Sequence, residues 1–288
     1  KPRVTGEGII DADLNVLPSR GSVMKRIEQA GLTSNQAGYL WMDDSLGLIL
    51  NKLDELKLAH NTIVLFVADH GSGHKGSLYK AKGTEVPCIM RWPAGMKAGV
   101  RSEELIQNTD FVPTWFELAG VKKPAAYRMD GVSLAPLFQA PHEPVREHVY
   151  AEIGAARSIK TKTHSYIALR YTREQVAGVQ ERQRRELKSL TGLSGGVSRS
   201  IATHPHAYTG DQLYDLNRDP DAQKNLADQK RHAGTLTQMK QKLAAELKRF
   251  PARPYGEFVP GGNALAGGGY DKVFETLRQA AVDKKPKK

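Results

Sequence analysis

Asp69, His70, His74 and Lys75 stand close together in the run Ala-Asp-His-Gly-Ser-Gly-His-Lys-Gly at 68–76. A carboxylate next to an imidazole suits several divalent cations, and a hard, oxygen-rich remainder to such a site favours Ca²⁺ or Mg²⁺. Gly71 and Gly73 carry no Cβ, so the backbone there can approach a ligand closely. Lys75 is a flexible cation suited to an anion held by the metal. Together the aspartate, a divalent ion and the lysine form an oxyanion-binding set. The plainer reading of Asp69 alone is a turn former or helix cap, which is what an aspartate at a strand end often is.

What positions these residues is the stretch 61–93. An apolar, β-branched run at 62–67 predicts a strand buried on both faces, and it breaks off at Ala68-Asp69. The metal-ligand pair therefore falls where a parallel strand hands over to a loop, the usual ligand position in open α/β sheets. A second apolar strand is predicted at 86–92. It contains Cys88, the single cysteine, read as a small buried hydrophobe that cannot form an internal disulfide. Upstream, a helix is predicted from about Ser22 and a clearer one from Tyr39. In the latter, Leu40, Leu46, Ile49, Leu50, Leu53 and Leu56 recur near a 3.6-residue period. Helix, short turn and buried strand make half of a βαβ unit. Residues 1–20 read as irregular.

Downstream, 111–119 predicts a helix with Thr109 or Asp110 as N-cap and Gly120 as C-cap, and Pro113 is tolerated near its first turn. A short apolar element follows at 131–138, and Pro141 to Pro144 mark a connector, placing a boundary near 145. Beyond it, 149–153, 156–161 and 166–171 read as strands of an antiparallel meander, with a further strand at 212–216. Residues 172–188 read as a basic helix and 191–200 as a Gly/Ser loop. An amphipathic helix is predicted at 235–250 through Leu236, Met239, Leu243 and Leu247. The Gly/Pro-rich remainder carries a short helix at 270–282 and a lysine tail.

The expected fold is α/β: a partial, mostly parallel sheet flanked by helices, with a smaller C-terminal α+β subdomain built on an antiparallel sheet. The expected division is 1–145, 146–250 and 251–288.

With 288 residues, 40% hydrophobic and 25% charged, this is ordinary globular material. No apolar run approaches the roughly 20 residues of a spanning helix, so no transmembrane segment is expected. The chain opens without an initiator Met or a signal-peptide pattern, which predicts that material precedes it. A net charge of +11, from 42 Lys+Arg against 31 Asp+Glu, favours anionic partners. No helix-turn-helix, RNA-binding aromatic pair or zinc-finger spacing accompanies it, so no specific nucleic-acid binding is expected.

NTIVxFxxDHG, followed by a Gly-Lys loop and LY…GxxVPxIxRWPxG, resembles the downstream half of the sulfatase family in the alkaline phosphatase superfamily. The likeness continues through DFVPTWFELAGV, DGVSLAPLF, RxIKTxxHSYIALRY and QLYDLxxDP, so it runs from 36 to about 230 in family order. The resemblance implies that Asp69 and His70 are metal ligands, usually of Ca²⁺. It implies that Lys75 contacts the sulfate and helps neutralise the leaving oxygen. The stretch from Tyr79 to Pro87 holds one residue more than the commonest family spacing, which makes Lys82 a competitor for that role. His74 has no firm family equivalent and is carried as a residue lining the substrate site.

The family's nucleophile, a formylglycine made within Cys/Ser-x-Pro-x-Arg, and its upstream aspartate pair do not occur here. The nearest imitation, Val16-Leu17-Pro18-Ser19-Arg20, has valine at the nucleophile position. The expectation is thus part of a sulfuric ester hydrolase, its formylglycine lying upstream and its substrate a sulfated small molecule or polysaccharide. The intact parent is expected in the periplasm, in the lysosome or outside the cell. A phosphoester or phosphonate hydrolase of the same superfamily and a non-enzymatic polyanion-binding remnant are the alternatives.

Overall fold

A computed structural model describes residues 3–5, 8–10, 16–71, 77–79, 83–170, 203–207 and 209–250. The chain divides into two units, one of Lys1–Leu65 with Met90–Ala98, the other of Phe66–Ile89 with Gly99–Lys288. The basic helix at 172–188, the Gly/Ser loop and the elements expected after 251 lie outside the described residues.

In the first unit the supposedly irregular N-terminus forms an antiparallel pair, β1 (Arg3–Thr5) with β2 (Gly8–Ile10). Gly8 has φ +108°, a value open to glycine, and a hairpin this short leaves too few residues for alternation to show in sequence. Helix α1 (Arg20–Gln29) is capped by Ser19, whose hydroxyl accepts the Ser22 N–H at 3.2 Å, and it buries Val23 and Ile27. Its Arg26 pairs with Asp44 of α2 (Ala37–Glu55), and the hydrogen bond from Arg26 holds that carboxyl below its ordinary pKa. The apolar face expected of α2 exists only in part. Leu40, Leu46, Leu50 and Leu53 are half-buried, while Ile49 and Leu56 are exposed, and no residue of the helix is fully buried.

Strands β3 (Val64–Val67) and β4 (Cys88–Arg91) form inside the expected stretches and pair with each other. Val64, Leu65 and Phe66 are half-buried and Val67 is 37% exposed, short of the double burial expected. The cause is that, among the described residues, no further strand pairs with either. Cys88 is half-buried, and burial raises its thiol pKa.

The second unit contains α3 (Phe111–Leu118), entered through a 3₁₀ turn at Asn108–Asp110. Asp110 stands at the N-cap position, but its carboxylate reaches back to the Gln107 N–H at 2.8 Å. The same carboxylate accepts the Val132 N–H at 3.0 Å and pairs with Arg146. Gly120, at φ +63°, closes the helix, its N–H on the Glu117 carbonyl and the Val121 N–H on the Phe116 carbonyl. The element expected at 131–138 is a short helix, α4 (Ala135–Gln139).

The meander is present as β5 (Val149–Ile153), β6 (Ala156–Lys160), β7 (His164–Leu169) and β8 (Asp211–Asp215), antiparallel in that order. Because successive side chains alternate, the register places Ile159, Tyr166 and Leu213 in one row and Lys160, Ser165 and Tyr214 in a row on the other face. The first row packs on Met239, Leu243 and Leu247 of α5 (Ala233–Leu247) to make the core. The second face is buried too, although Ser158, Lys160, Ser165 and Gln212 lie on it.

Candidate metal and oxyanion site

Asp69 and His70 follow the end of β3, where the apolar run can no longer be paired and the backbone turns away. The Ala68 N–H still donates to the Pro87 carbonyl at 3.2 Å, so the strand ends stay joined up to the site. One residue on, the Gly71 N–H donates to the Gly83 carbonyl at 3.1 Å. Gly71 and Gly83 are both buried, and a Cβ at Gly83 would run into the Ser77 hydroxyl. Glycine is needed there for close packing of chain on chain.

The Asp69 side chain is 84% exposed and that of His70 36%, with His70 Nε2 3.5 Å from Asp69 Oδ2. His70 Nδ1 lies 3.0 Å from the Gly71 carbonyl. A carbonyl only accepts, so a proton on Nδ1 makes this bond and leaves Nε2 on the carboxylate side. Neighbouring ligands of one cation, each at about 2.4 Å and at right angles, stand about 3.4 Å apart. The donor pair therefore fits a single divalent ion as two of the roughly six to eight donors that Ca²⁺ takes. Among the described residues, no group of three or more His, Cys, Asp or Glu side chains converges to hold a metal. As a candidate metal site, the pair would thus supply only one side of a coordination sphere.

His74, Lys75 and the competing Lys82 lie outside the described residues. What is described on the downstream side of that loop is its anchorage. Ser77, Leu78 and Tyr79 are buried. The Tyr79 hydroxyl donates to Gln212 Oε1 at 2.8 Å, and its ring stacks on His204 with centroids 3.7 Å apart. The Thr84 N–H donates to the Tyr79 carbonyl at 2.9 Å, and Lys160 Nζ donates to the Thr84 hydroxyl. Sequence reasoning passed over Tyr79, His204 and Gln212 as functional residues. A glutamine at an inward position of a strand, between leucine and aspartate neighbours, is the one signal that could have pointed to a buried polar partner.

A separate cleft of about 730 Å³ is bounded by Glu117, Lys123, Arg128, Asp130, Lys248 and Arg249. None of its lining residues comes from 66–89. No helix of the described residues is long and apolar enough to cross a membrane.

Comparison with known proteins gives the site its context. Residues 19–121 match the family model described as Sulfatase. An ulvan-active sulfatase of Formosa agariphila is 34% identical over 189 residues, which is 61% of this chain and 35% of that protein. Steryl-sulfatase of Homo sapiens is 34% identical over 140 residues, 40% of this chain and 24% of its own length. The chain thus spans about a third or less of these curated relatives. A solved structure of a protein in complex with its substrate D-glucosamine-2-N,6-O-disulfate superposes with a TM-score of 0.56 at 21% identity. It covers 75% of this chain and 40% of that one, and at this identity the likeness concerns the fold.

Proposed function

From the premise that this chain is sulfatase-family sequence, of the alkaline phosphatase superfamily, we propose that it forms one wall of a sulfate-ester hydrolase active site. In this reading Asp69 and His70 hold a divalent cation, Ca²⁺ before Mg²⁺. The observation that carries it is the donor pair itself: Nε2 and Oδ2 3.5 Å apart at a strand end, with the histidine tautomer set by the Gly71 carbonyl.

Among the described residues no further carboxylate or imidazole converges on the pair, and in this reading other ligands and a formylglycine nucleophile complete the site. A bound ion supplies positive charge to the sulfuryl oxygens as negative charge builds there. Asp69 offers its carboxylate to the ion, and His70 offers Nε2 while Nδ1–H stays on the Gly71 carbonyl. Lys75 contacts the sulfate and neutralises the departing oxygen as the S–O bond breaks, and His74 lines the substrate site. Net hydrolysis gives an alcohol and hydrogen sulfate. Sulfated carbohydrate or another sulfated small molecule is the substrate class, supported by the names of the relatives and by the +11 charge.

The test uses the longest open reading frame containing this chain. Its product should hydrolyse 4-nitrophenyl sulfate in a Ca²⁺-dependent manner, and Asp69→Ala should lower kcat/KM by at least about a hundredfold. Full activity in Asp69→Ala removes the metal assignment. Faster cleavage of phenyl phosphate than of the matching sulfate replaces the sulfatase reading with the phosphoester one.

A further inference from the structure

His70 is joined to the antiparallel sheet by hydrogen bonds relayed through the covalent chain of Gly71, Gly83–Thr84 and Tyr79. Its Nδ1–H donates to the Gly71 carbonyl at 3.0 Å, and the Gly71 N–H donates to the Gly83 carbonyl at 3.1 Å. Adjacent Thr84 donates both its N–H and its hydroxyl to the Tyr79 carbonyl, at 2.9 and 3.2 Å. The Tyr79 hydroxyl then donates to Gln212 Oε1 at 2.8 Å on β8.

The far end of this line is immobilised. Gln212 is 1% exposed, its Nε2 donates to the Thr209 carbonyl at 3.0 Å, and Oε1 accepts a second hydroxyl, that of Tyr214, at 2.9 Å. These partners leave the amide one orientation only. The Tyr79 ring lies nearly parallel to that of His204, at 14°, which fixes its plane as the hydroxyl fixes its tip. Lys160 of β6 holds Thr84 from the same sheet face.

We infer that Tyr79 is a positioning residue for His70, and that Gln212 and His204 seat it, so that the antiparallel sheet sets where the metal histidine stands. The inference rests on the reading of Asp69 and His70 as ligands. On this buried face Gln212 Oε1 accepts from Tyr79 and Lys160 donates to Thr84, so two of its polar side chains hold the segment that flanks the site. Ligand-supporting partners of this kind carry about ten- to a hundredfold in affinity or activity.

Two measurements test it. In ¹⁵N-histidine-labelled chain without metal, the His70 ring signals should be those of the Nδ1–H tautomer. Tyr79→Phe keeps the stacked ring but loses the hydroxyl, and it should shift the His70 imidazole signals. In the full-length product the same variant should raise the Ca²⁺ concentration for half-maximal aryl sulfate hydrolysis about tenfold, with excess Ca²⁺ restoring kcat. Leu243→Ala, which weakens the core on the opposite sheet face, should leave both readouts at their wild-type values. Unchanged His70 signals in Tyr79→Phe, or an equal effect of Leu243→Ala, overturn the inference. Shifted signals in a protein with no Ca²⁺-dependent activity uphold the linkage and sink the functional reading beneath it.

Discussion

Asp211 shows how charged side chains are fixed in this protein. It accepts from the Tyr166 hydroxyl at 2.7 Å, from Arg170 at 2.6 Å and from Lys240 at 2.8 Å. Burial alone would push its carboxyl up, but the Arg170 charge and the three donors outweigh it and hold the pKa below the ordinary 3.8. Tyr166, in turn, is pushed well above its usual range, first by burial and then by the Asp211 charge, so it stays a neutral donor. A depressed carboxyl stabilises the fold above its unfolded pKa, and that contribution is lost as the pH falls through the folded value. Wild type should therefore exceed Asp211→Asn in urea midpoint by a constant margin from pH 7 to about 4, and the margin should shrink below that. Asp211→Ala, which leaves the 4%-exposed Arg170 side chain without its counter-charge, should cost about 3 kcal/mol in the same assay. The strand end that carries Asp69 and His70 could be read in the sequence because a strand-to-loop change is local. Asp211 could not, since Arg170 and Lys240 lie 41 and 29 residues away.

Among the elements, those whose periodicity is complete within a few residues were the legible ones. Strands β5 to β8 and helix α5 fall close to their expected places because tight turns and an apolar stripe mark them. The β1–β2 hairpin is too short to show a period, and the degree of burial of β3 and α2 depends on neighbours that a local pattern does not encode. Asp110 was legible as a cap by position but not by action, because its bond to the Val132 N–H spans 22 residues. Tyr79 and Gln212 are 133 residues apart, and no spacing rule joins them. Helix α5 supplies one half of the sheet's core, and Leu243 at its centre is fully buried. Leu243→Ala should lower stability by about 3 kcal/mol, read as a fall in the urea midpoint at unchanged m-value. A loss under about 1 kcal/mol would mean that the helix is not what holds this face of the sheet.

For the molecule as a whole, buried apolar side chains are unevenly shared. In Lys1–Leu65 those found among the described residues are Val23, Ile27 and Ala59, whereas the unit with the antiparallel sheet holds the cluster around Tyr166, Leu213 and Leu243. Tyr39, Met42, Ile49 and Leu56 add an exposed apolar line along α2. Local opening follows buried contact, so amides of α1 and α2 should exchange with deuterium faster than those of β6, β7 and α5. Equal protection in the two units would contradict this. The Gly71–Gly83 bond has a wider consequence. It joins main chain to main chain, through a carbonyl and an N–H that every residue but proline possesses, so the bond itself reads no side chain. Lengthening such a tether is cheap, about 0.6 kcal/mol of closure entropy for each doubling. A fastening of this kind lets the segment between be lengthened while the strand end that carries Asp69 and His70 keeps its station.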